Sequence, residues 1–168
     1  MTYQVQSGFS ENYKSTYTTV SSRFALTTTY QTAVESVIDY TPSESASFVI
    51  YSFCVYFGRT NTSATRTNFY AKLQYSDDDG SSWSDWGDNT VSFIGSVGSY
   101  VRPRTVAEVK FALSATGWTS SKRLRLQVKK YDSNAITGFH QLQDFYDENG
   151  SVSGDSFFNP SVSCYSVE

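Results

Sequence analysis

The 168-residue chain is poor in the residues that most catalytic and metal sites require. It contains one histidine, His140, and two cysteines, Cys54 and Cys164. A Ser-His-Asp site needs an imidazole as its base, and a zinc site needs clustered cysteines and histidines. The sequence also has no Gly-x-Ser-x-Gly nucleophile elbow and no glycine-rich phosphate loop. It therefore predicts a protein that is not an enzyme, with no cofactor and no metal.

Two further absences limit the kinds of binding partner and the cellular compartment that we expect for the protein. The chain has 13 basic and 16 acidic residues, so it lacks the positive footprint of a nucleic-acid binder. No apolar run approaches the ~20 residues of a membrane span, and the start of the chain has neither the basic nor the apolar region of a signal peptide. We expect no nucleic-acid partner, no membrane partner and synthesis in a cytoplasm.

Two cysteines are too few for a disulfide framework. Cys54 lies inside an apolar run and is expected to be a buried, inert thiol. Whether it pairs with Cys164 depends on whether the C-terminal segment returns to the core, which the sequence leaves open.

Residues typical of β-sheets are abundant instead. Aromatic residues make up 17% of the chain, with 13 Tyr and 12 Phe, and β-branched and aromatic side chains suit a pleated surface. A turn around Pro42 is followed by an apolar run, residues 48–57, that is interrupted only by Ser52. Because this run has no polar face of the kind that a surface helix shows, it predicts a central strand that is covered on both sides.

Alternation of apolar and polar residues predicts the other strands. It is clear in residues 68–76, 105–113 and 123–131, and shorter candidates lie at residues 23–30, 35–40, 90–94 and 161–167. About eight strands separated by turns predict an all-β fold, a two-sheet antiparallel sandwich that is jelly-roll-like. Residues 1–22 are polar and predict an N-terminal arm or a first irregular strand, and residues 23–168 predict a single sandwich.

One turn carries a recognisable pattern, Ser-x-Asp-x-Gly-x-Ser-Trp, formed by Ser76, Asp78, Gly80 and Trp83. The aspartate can accept backbone N–H groups, the glycine can take a left-handed conformation and the tryptophan can pack back over the hairpin. The pattern is similar to the Asp box of sialidases, where it is structural, and we interpret it as a hairpin stabiliser.

The carboxylates of this region, residues 77–88, leave one alternative open. They could bind calcium, which prefers oxygen ligands, although the EF-hand spacing is missing and solvated turn carboxylates are favoured. The carboxylates concerned are Asp77, Asp78, Asp79, Asp85 and Asp88.

The three tryptophans, Trp83, Trp86 and Trp118, lie in or beside predicted loops. Exposed aromatic rings either anchor protein interfaces or, together with a carboxylate such as Asp85, form a platform for sugar rings. We favour the burial of such rings between the subunits of a homo-oligomer, and keep the glycan platform as the alternative.

The segment at residues 35–51 resembles segments of phage virion proteins, in which a strand that ends in a Thr-Pro step, here Thr41-Pro42, runs through serines into an apolar strand. The hairpin at residues 73–83 also looks like hairpins of these proteins, which include capsid decoration proteins, head fibres and tail-fibre domains. The resemblance implies a jelly-roll-like sandwich, forming a homotrimer located in the virion.

The function that this resemblance implies is that of a capsid decoration or cement protein. Such a knob protein would bind the major capsid protein and stabilise the shell through multivalent contacts, with residues 1–22 lying on the shell or on a neighbouring copy. The alternative is a tail-fibre or receptor-binding domain that recognises host surface glycans, and a glycan depolymerase is a distant third.

Overall fold

The computed structural model describes residues 11–15, 24–59, 68–94, 104–131, 137–140 and 159–168. These residues contain strands and no helix, so none of them forms a helix that could cross a membrane. The strands are β1 (Glu11–Ser15), β2 (Phe24–Ala25), β3 (Gln31–Thr32), β4 (Ile38–Tyr40), β5 (Phe48–Arg59), β6 (Asn68–Ser76), β7 (Ser84–Ile94), β8 (Arg104–Ser114), β9 (Lys122–Lys130), β10 (Thr137–Phe139) and β11 (Ser161–Val167).

The strands form two antiparallel sheets. In the first sheet, β1 pairs with β11, β11 with β5 and β5 with β8, while β10 and β2 continue the sheet beside the C-terminal end of β5. In the second sheet, β3 and β4 both pair with β9, and β6 and β7 follow. The orders β1-β11-β5-β8 and β4-β9-β6-β7 are those of an eight-stranded jelly roll with two Greek keys. The predicted two-sheet, jelly-roll-like sandwich is confirmed.

A single apolar core lies between the two sheets. Strand alternation sends Val49, Tyr51 and Phe53 of β5 inward, where they meet Leu124 and Leu126 of β9, and all five side chains are fully buried. Both sheets therefore bury one face against each other, as the period-two patterns predicted.

The prediction that β5 is covered on both sides is wrong for the part of the chain that the structure describes. β5 is central within its sheet, between β8 and β11. However, successive side chains of a strand point to opposite faces, and the outward-pointing Ile50, Cys54 and Tyr56 are half-buried while Phe48 is 51% exposed. The apolar run therefore reflects one core face and one apolar outer face.

Residues 11–15, within the predicted N-terminal arm, form β1. This strand lies against β11, with Glu11 opposite Tyr165 and Ser15 opposite Ser161, which matches the first-strand alternative that the sequence left open. Residues 1–10 and 16–22 lie outside the described residues, and the division of the chain at residue 22 stays a prediction.

The two cysteines are free thiols on opposite faces of the first sheet. β11 does return to β5, but Cys54 lies opposite Ser161 and Cys164 lies opposite Tyr51. Cys164 points into the core, and burial raises the pKa of its thiol well above the ordinary value. The expectation of a buried thiol at Cys54 is corrected, because that side chain lies half-buried on the outer face.

Candidate binding site

The hairpin between β6 and β7 is closed by the residues of the Asp-box pattern. The Ser76 hydroxyl donates to Asp78 Oδ1 at 2.6 Å and accepts the N–H of Gly80 at 2.7 Å. Asp78 accepts the N–H of Ser82 at 2.8 Å, and Gly80 has a φ of 92°. Trp83 donates its indole N–H to the Gly80 carbonyl at 3.0 Å. The structure thus brings Ser76, Asp78, Gly80 and Trp83 together in one turn.

These hydrogen bonds stabilise the ionised form of Asp78. Donation from the hydroxyls of Ser76 and Ser82, followed by the N–H of Ser82, lowers the pKa of Asp78 to about 2. The Asp78 carboxylate of this turn is therefore ionised near neutral pH.

Replacing Ser76 with alanine should open this turn. Ser76 is buried and its hydroxyl joins Asp78 to Gly80, so Ser76→Ala leaves donors and acceptors without partners and should cost about 1–3 kcal/mol of unfolding free energy. The pKa of Asp78 should rise from about 2 toward its ordinary value. Urea denaturation and NMR titration measure the two effects. Ser81→Ala, at an exposed position of the same turn, is the matched control and should change neither.

The other acidic side chains of the region contact basic or amide groups instead of converging on one point. Asp77 pairs with Lys122, Asp79 with Arg123 at 2.6 Å, and Asp85 with Lys72 at 2.7 Å. Within the described residues, no group of three or more His, Cys, Asp or Glu side chains could hold a metal ion. The side chain of Asp88 is not among those described.

Trp83 and Trp86 belong to different surroundings. The guanidinium carbon of Arg125 lies 3.8 Å from the centroid of the Trp83 ring, and Arg125 is one of the side chains that β9 turns away from the core. Trp86 instead packs on Tyr75, with ring centroids 4.8 Å apart. The predicted group of Trp83, Asp85, Trp86 and Trp118 therefore separates, because Trp83 lies on the outer face of the second sheet.

Trp118 is buried, and the expectation that it forms an exposed surface is corrected. Only 6% of the residue is accessible, because its ring closes one end of the core between Tyr40, at 6.2 Å, and Trp86, at 5.2 Å. Its indole N–H donates to the Ser120 carbonyl at 2.8 Å. The sequence placed Trp118 in a loop correctly but did not indicate which way the ring points.

Asp85, Trp86 and Trp118 share an open cleft of about 360 Å³ with Tyr75 and Lys122. The Lys122 ammonium lies 4.9 Å from the centroid of the Tyr75 ring and 5.9 Å from that of Trp118. Hydrogen bonds from Lys72 and then from Gln74 lower the pKa of Asp85, so its carboxylate is ionised. That carboxylate lies on the outer face of the second sheet with Lys72 and Gln74, which alternate with the core residues Ala71 and Leu73. The cleft itself combines aromatic walls with the Lys122 ammonium, a combination suited to binding.

Tyr75 and Lys122 were missed by the analysis of the sequence, although a signal was present. Each lies near one end of an alternating strand and in phase with core positions, Tyr75 with Leu73 on β6 and Lys122 with Leu124 on β9. If the alternation of core-facing residues had been followed to the ends of these strands, both side chains would have been placed at the same end of the sandwich.

His140 lies at the opposite end of the sandwich. It follows β10, which pairs with Phe57–Arg59 of β5, and it is fully buried with a φ of 74°. Its ring lies 6.3 Å from Phe24 and 5.9 Å from Phe139, and neither ring nitrogen has a hydrogen-bond partner among the described residues. Burial lowers its pKa to about 4, so the imidazole is neutral near pH 7.

Comparison with known proteins yields a fold likeness alone. No family model matches the chain, and no curated protein matches it. Among solved structures, the Eiger TNF of S. frugiperda is similar at 4% sequence identity and a TM-score of 0.38, covering 87% of this chain and 93% of its own. At this TM-score the likeness is too weak to carry an argument, and the fold assignment rests on the strand order of the chain itself.

Proposed function

We propose that this chain is a non-enzymatic structural protein of a phage particle, a decoration or cement protein that binds the major capsid protein from outside. The observation that supports the proposal is the apolar outer face of the first sheet. Apolar surface that faces outward in a contiguous patch is typical of protein interaction sites.

The patch follows from the strand register. Val167 of β11 lies opposite Phe48 of β5, and on the next row of the same face Ile50 lies opposite Ala112 of β8. Phe48 is 51% and Val167 is 38% exposed. The next row is polar, since Ser52 donates to Glu108 at 2.7 Å, and the face becomes apolar again where Tyr56 lies opposite the 53% exposed Val106. Apolar rows on both sides of a polar one give this face the mixture of apolar and polar surface that protein interfaces show.

Multivalency would turn such a modest patch into stable attachment. Linked copies bind a repeating shell with an avidity that exceeds the affinity of each contact. We therefore also propose that the protein is a homotrimer, in which each subunit presents one patch to a neighbouring capsid subunit. Light scattering of the purified protein measures the mass of the oligomer directly.

The test is the binding of purified protein to undecorated shells of the encoding phage, measured by co-sedimentation, with whole host cells as a second target. Wild-type protein should saturate the shells, and Phe48→Ser should weaken binding by about tenfold, the loss expected of a central interface residue. The matched control is Val34→Ser, which removes a 39% exposed apolar side chain in the connection between β3 and β4.

Failure of the wild-type protein to bind shells would overturn the proposal. Equal losses for Phe48→Ser and Val34→Ser would show that the apolar face of the first sheet is not the contact. Binding to host cells without binding to shells would favour the second candidate function.

That second candidate is a tail-fibre or receptor-binding domain that recognises host surface glycans. It is favoured by the cleft that Tyr75, Trp86 and Trp118 line together with Lys122. Aromatic rings offer flat apolar surface for the C–H faces of sugars, and an ammonium group donates hydrogen bonds to sugar hydroxyls.

A further inference from the structure

A second cavity borders the cleft beside Trp86. This cavity, of about 790 Å³, is bounded on its far side by the turn that contains Pro42 and Glu44. The two cavities share Thr116, Gly117 and Trp118 as their common wall. We call the pair, from Trp86 to Glu44, the end groove.

From this geometry we infer that the end groove binds a neutral oligosaccharide chain, which extends over both cavities, in preference to a single sugar or an acidic glycan. The inference rests on the second candidate function, glycan recognition, and specifies the ligand of that same site.

The first argument is length. Binding sites for compact ligands of drug size occupy roughly 300–1,000 Å³, and the end groove offers about 360 Å³ on one side of its shared wall and about 790 Å³ on the other. A single sugar ring stacked on Trp86 would leave the cavity beside Pro42 empty. A chain of rings would use both cavities.

The second argument is charge. Lys122 is the one basic side chain that lines the groove among the described residues, and it is already paired with Asp77. Asp85 holds its carboxylate against Lys72 and Gln74, and Glu44 adds an exposed carboxylate beyond the shared wall. An anionic sugar would meet negative charge with no surplus cation to offset it, and like charges at short range are unfavourable.

The third argument is the chemistry of the polar lining. Apart from the charged residues, it consists largely of hydroxyl side chains, which both donate and accept hydrogen bonds and so suit the hydroxyls of neutral sugars. They are Thr41, Ser43, Ser114, Thr116 and Thr119.

The experiment uses surface polysaccharide fragments of the host, separated by anion exchange into neutral and acidic pools and by size into one to six sugar units. Binding to the full-length protein is measured by calorimetry. Neutral fragments of three or more units should bind at least about tenfold tighter than single sugars. Trp86→Ala should weaken binding by about tenfold or more, since aromatic stacking contributes on this scale.

Trp83→Ala is the matched control, because Trp83 lies outside the groove against Arg125, and it should bind as wild type does. Thr116→Tyr is a second test variant that removes no core contact. It places a ring at an exposed position of the shared wall, and it should block long fragments more than short ones.

Three results would overturn the inference: acidic fragments that bind as tightly as neutral ones, long fragments that bind no tighter than single sugars, or equal losses for Trp83→Ala and Trp86→Ala. Shell binding, measured in parallel, is independent of all three. If no fragment binds but shells are decorated, the inference fails and the structural role stands.

Discussion

Acidification from pH 7 to pH 4 is expected to lower the free energy of unfolding by about 3 kcal/mol through His140 alone. Burial lowers the pKa of this imidazole from its ordinary value of 6.5 to about 4. The unfolded chain therefore binds a proton in this range that the folded chain does not bind. The stability is fully present above pH 6.5 and is lost as the pH falls toward 4.

The location of His140 gives the physical cause. Its ring is enclosed by Phe24 and Phe139, and its nitrogens have no partner among the described residues. A charged imidazolium in such a site would lose its hydration without gaining a hydrogen bond in return. The depressed pKa of Asp78, about 2, adds a loss only below 3.8, so the two pH ranges are separate.

Urea denaturation at a series of pH values measures the effect, and His140→Asn is the control variant. Asparagine does not titrate, and it tolerates the left-handed backbone found at His140. The variant should lack the slope between pH 6.5 and 4, whatever its absolute stability. Because the chain has one histidine, NMR titration of its ring reports the folded pKa without ambiguity. A value near 6.5 would contradict the prediction.

The sequence predicted the long strands well because their burial is periodic. Alternation indicated strands at residues 68–76, 105–113 and 123–131, and the structure has β6 at Asn68–Ser76, β8 at Arg104–Ser114 and β9 at Lys122–Lys130. In each, one side of the strand is core. The two-residue alternation of buried and exposed side chains was therefore enough to identify these strands in the sequence.

The short strands were predicted less well for the opposite reason. β2, β3 and β10 have two or three residues each, too few to show a period. The strand predicted at residues 23–30 is only Phe24–Ala25, which pairs with β10, while β3 and β10 pair with the longer β9 and β5. β7 begins at Ser84, before the strand predicted at residues 90–94, since its first residues pair with β6 across a register shift between Lys72 and Gln74. Such pairing depends on tertiary structure.

The candidate site was partly predictable. The hairpin of Ser76, Asp78, Gly80 and Trp83 is local, so spacing alone specified which groups meet. The groove is built from distant parts of the chain, because Trp86 lies in β7 while Trp118 lies between β8 and β9. Its composition depends on which strand ends the jelly roll brings together, and the sequence did not specify that order.

Replacing Phe69 with alanine is expected to cost about 3–5 kcal/mol of unfolding free energy, the range for a large buried aromatic. Phe69 is 1% exposed. Its ring centroid lies 5.0 Å from that of Phe57 and 5.0 Å from that of Phe139, both edge-on. Since Phe69 belongs to the second sheet and the other two rings to the first, the variant removes an aromatic contact that joins the sheets.

Urea denaturation with an unchanged m-value measures this loss. Phe69→Leu, which keeps most of the volume, is the matched control and should cost distinctly less. Phe48→Leu, at an exposed position, should be nearly neutral. A loss below about 1 kcal/mol for Phe69→Ala would contradict the packing seen around this ring.

The two largest effects should also be coupled. Phe69 packs on Phe139, and the Phe139 ring lies 5.9 Å from that of His140. A cavity at residue 69 would loosen the enclosure that keeps the imidazole neutral, so the pKa of His140 should rise from about 4 toward 6.5 in Phe69→Ala. The stability lost between pH 6.5 and 4 should shrink accordingly, because the total loss is proportional to the difference between the unfolded and folded pKa values. An unchanged pKa in a folded Phe69→Ala variant would show that the enclosure of His140 does not depend on this contact between the sheets.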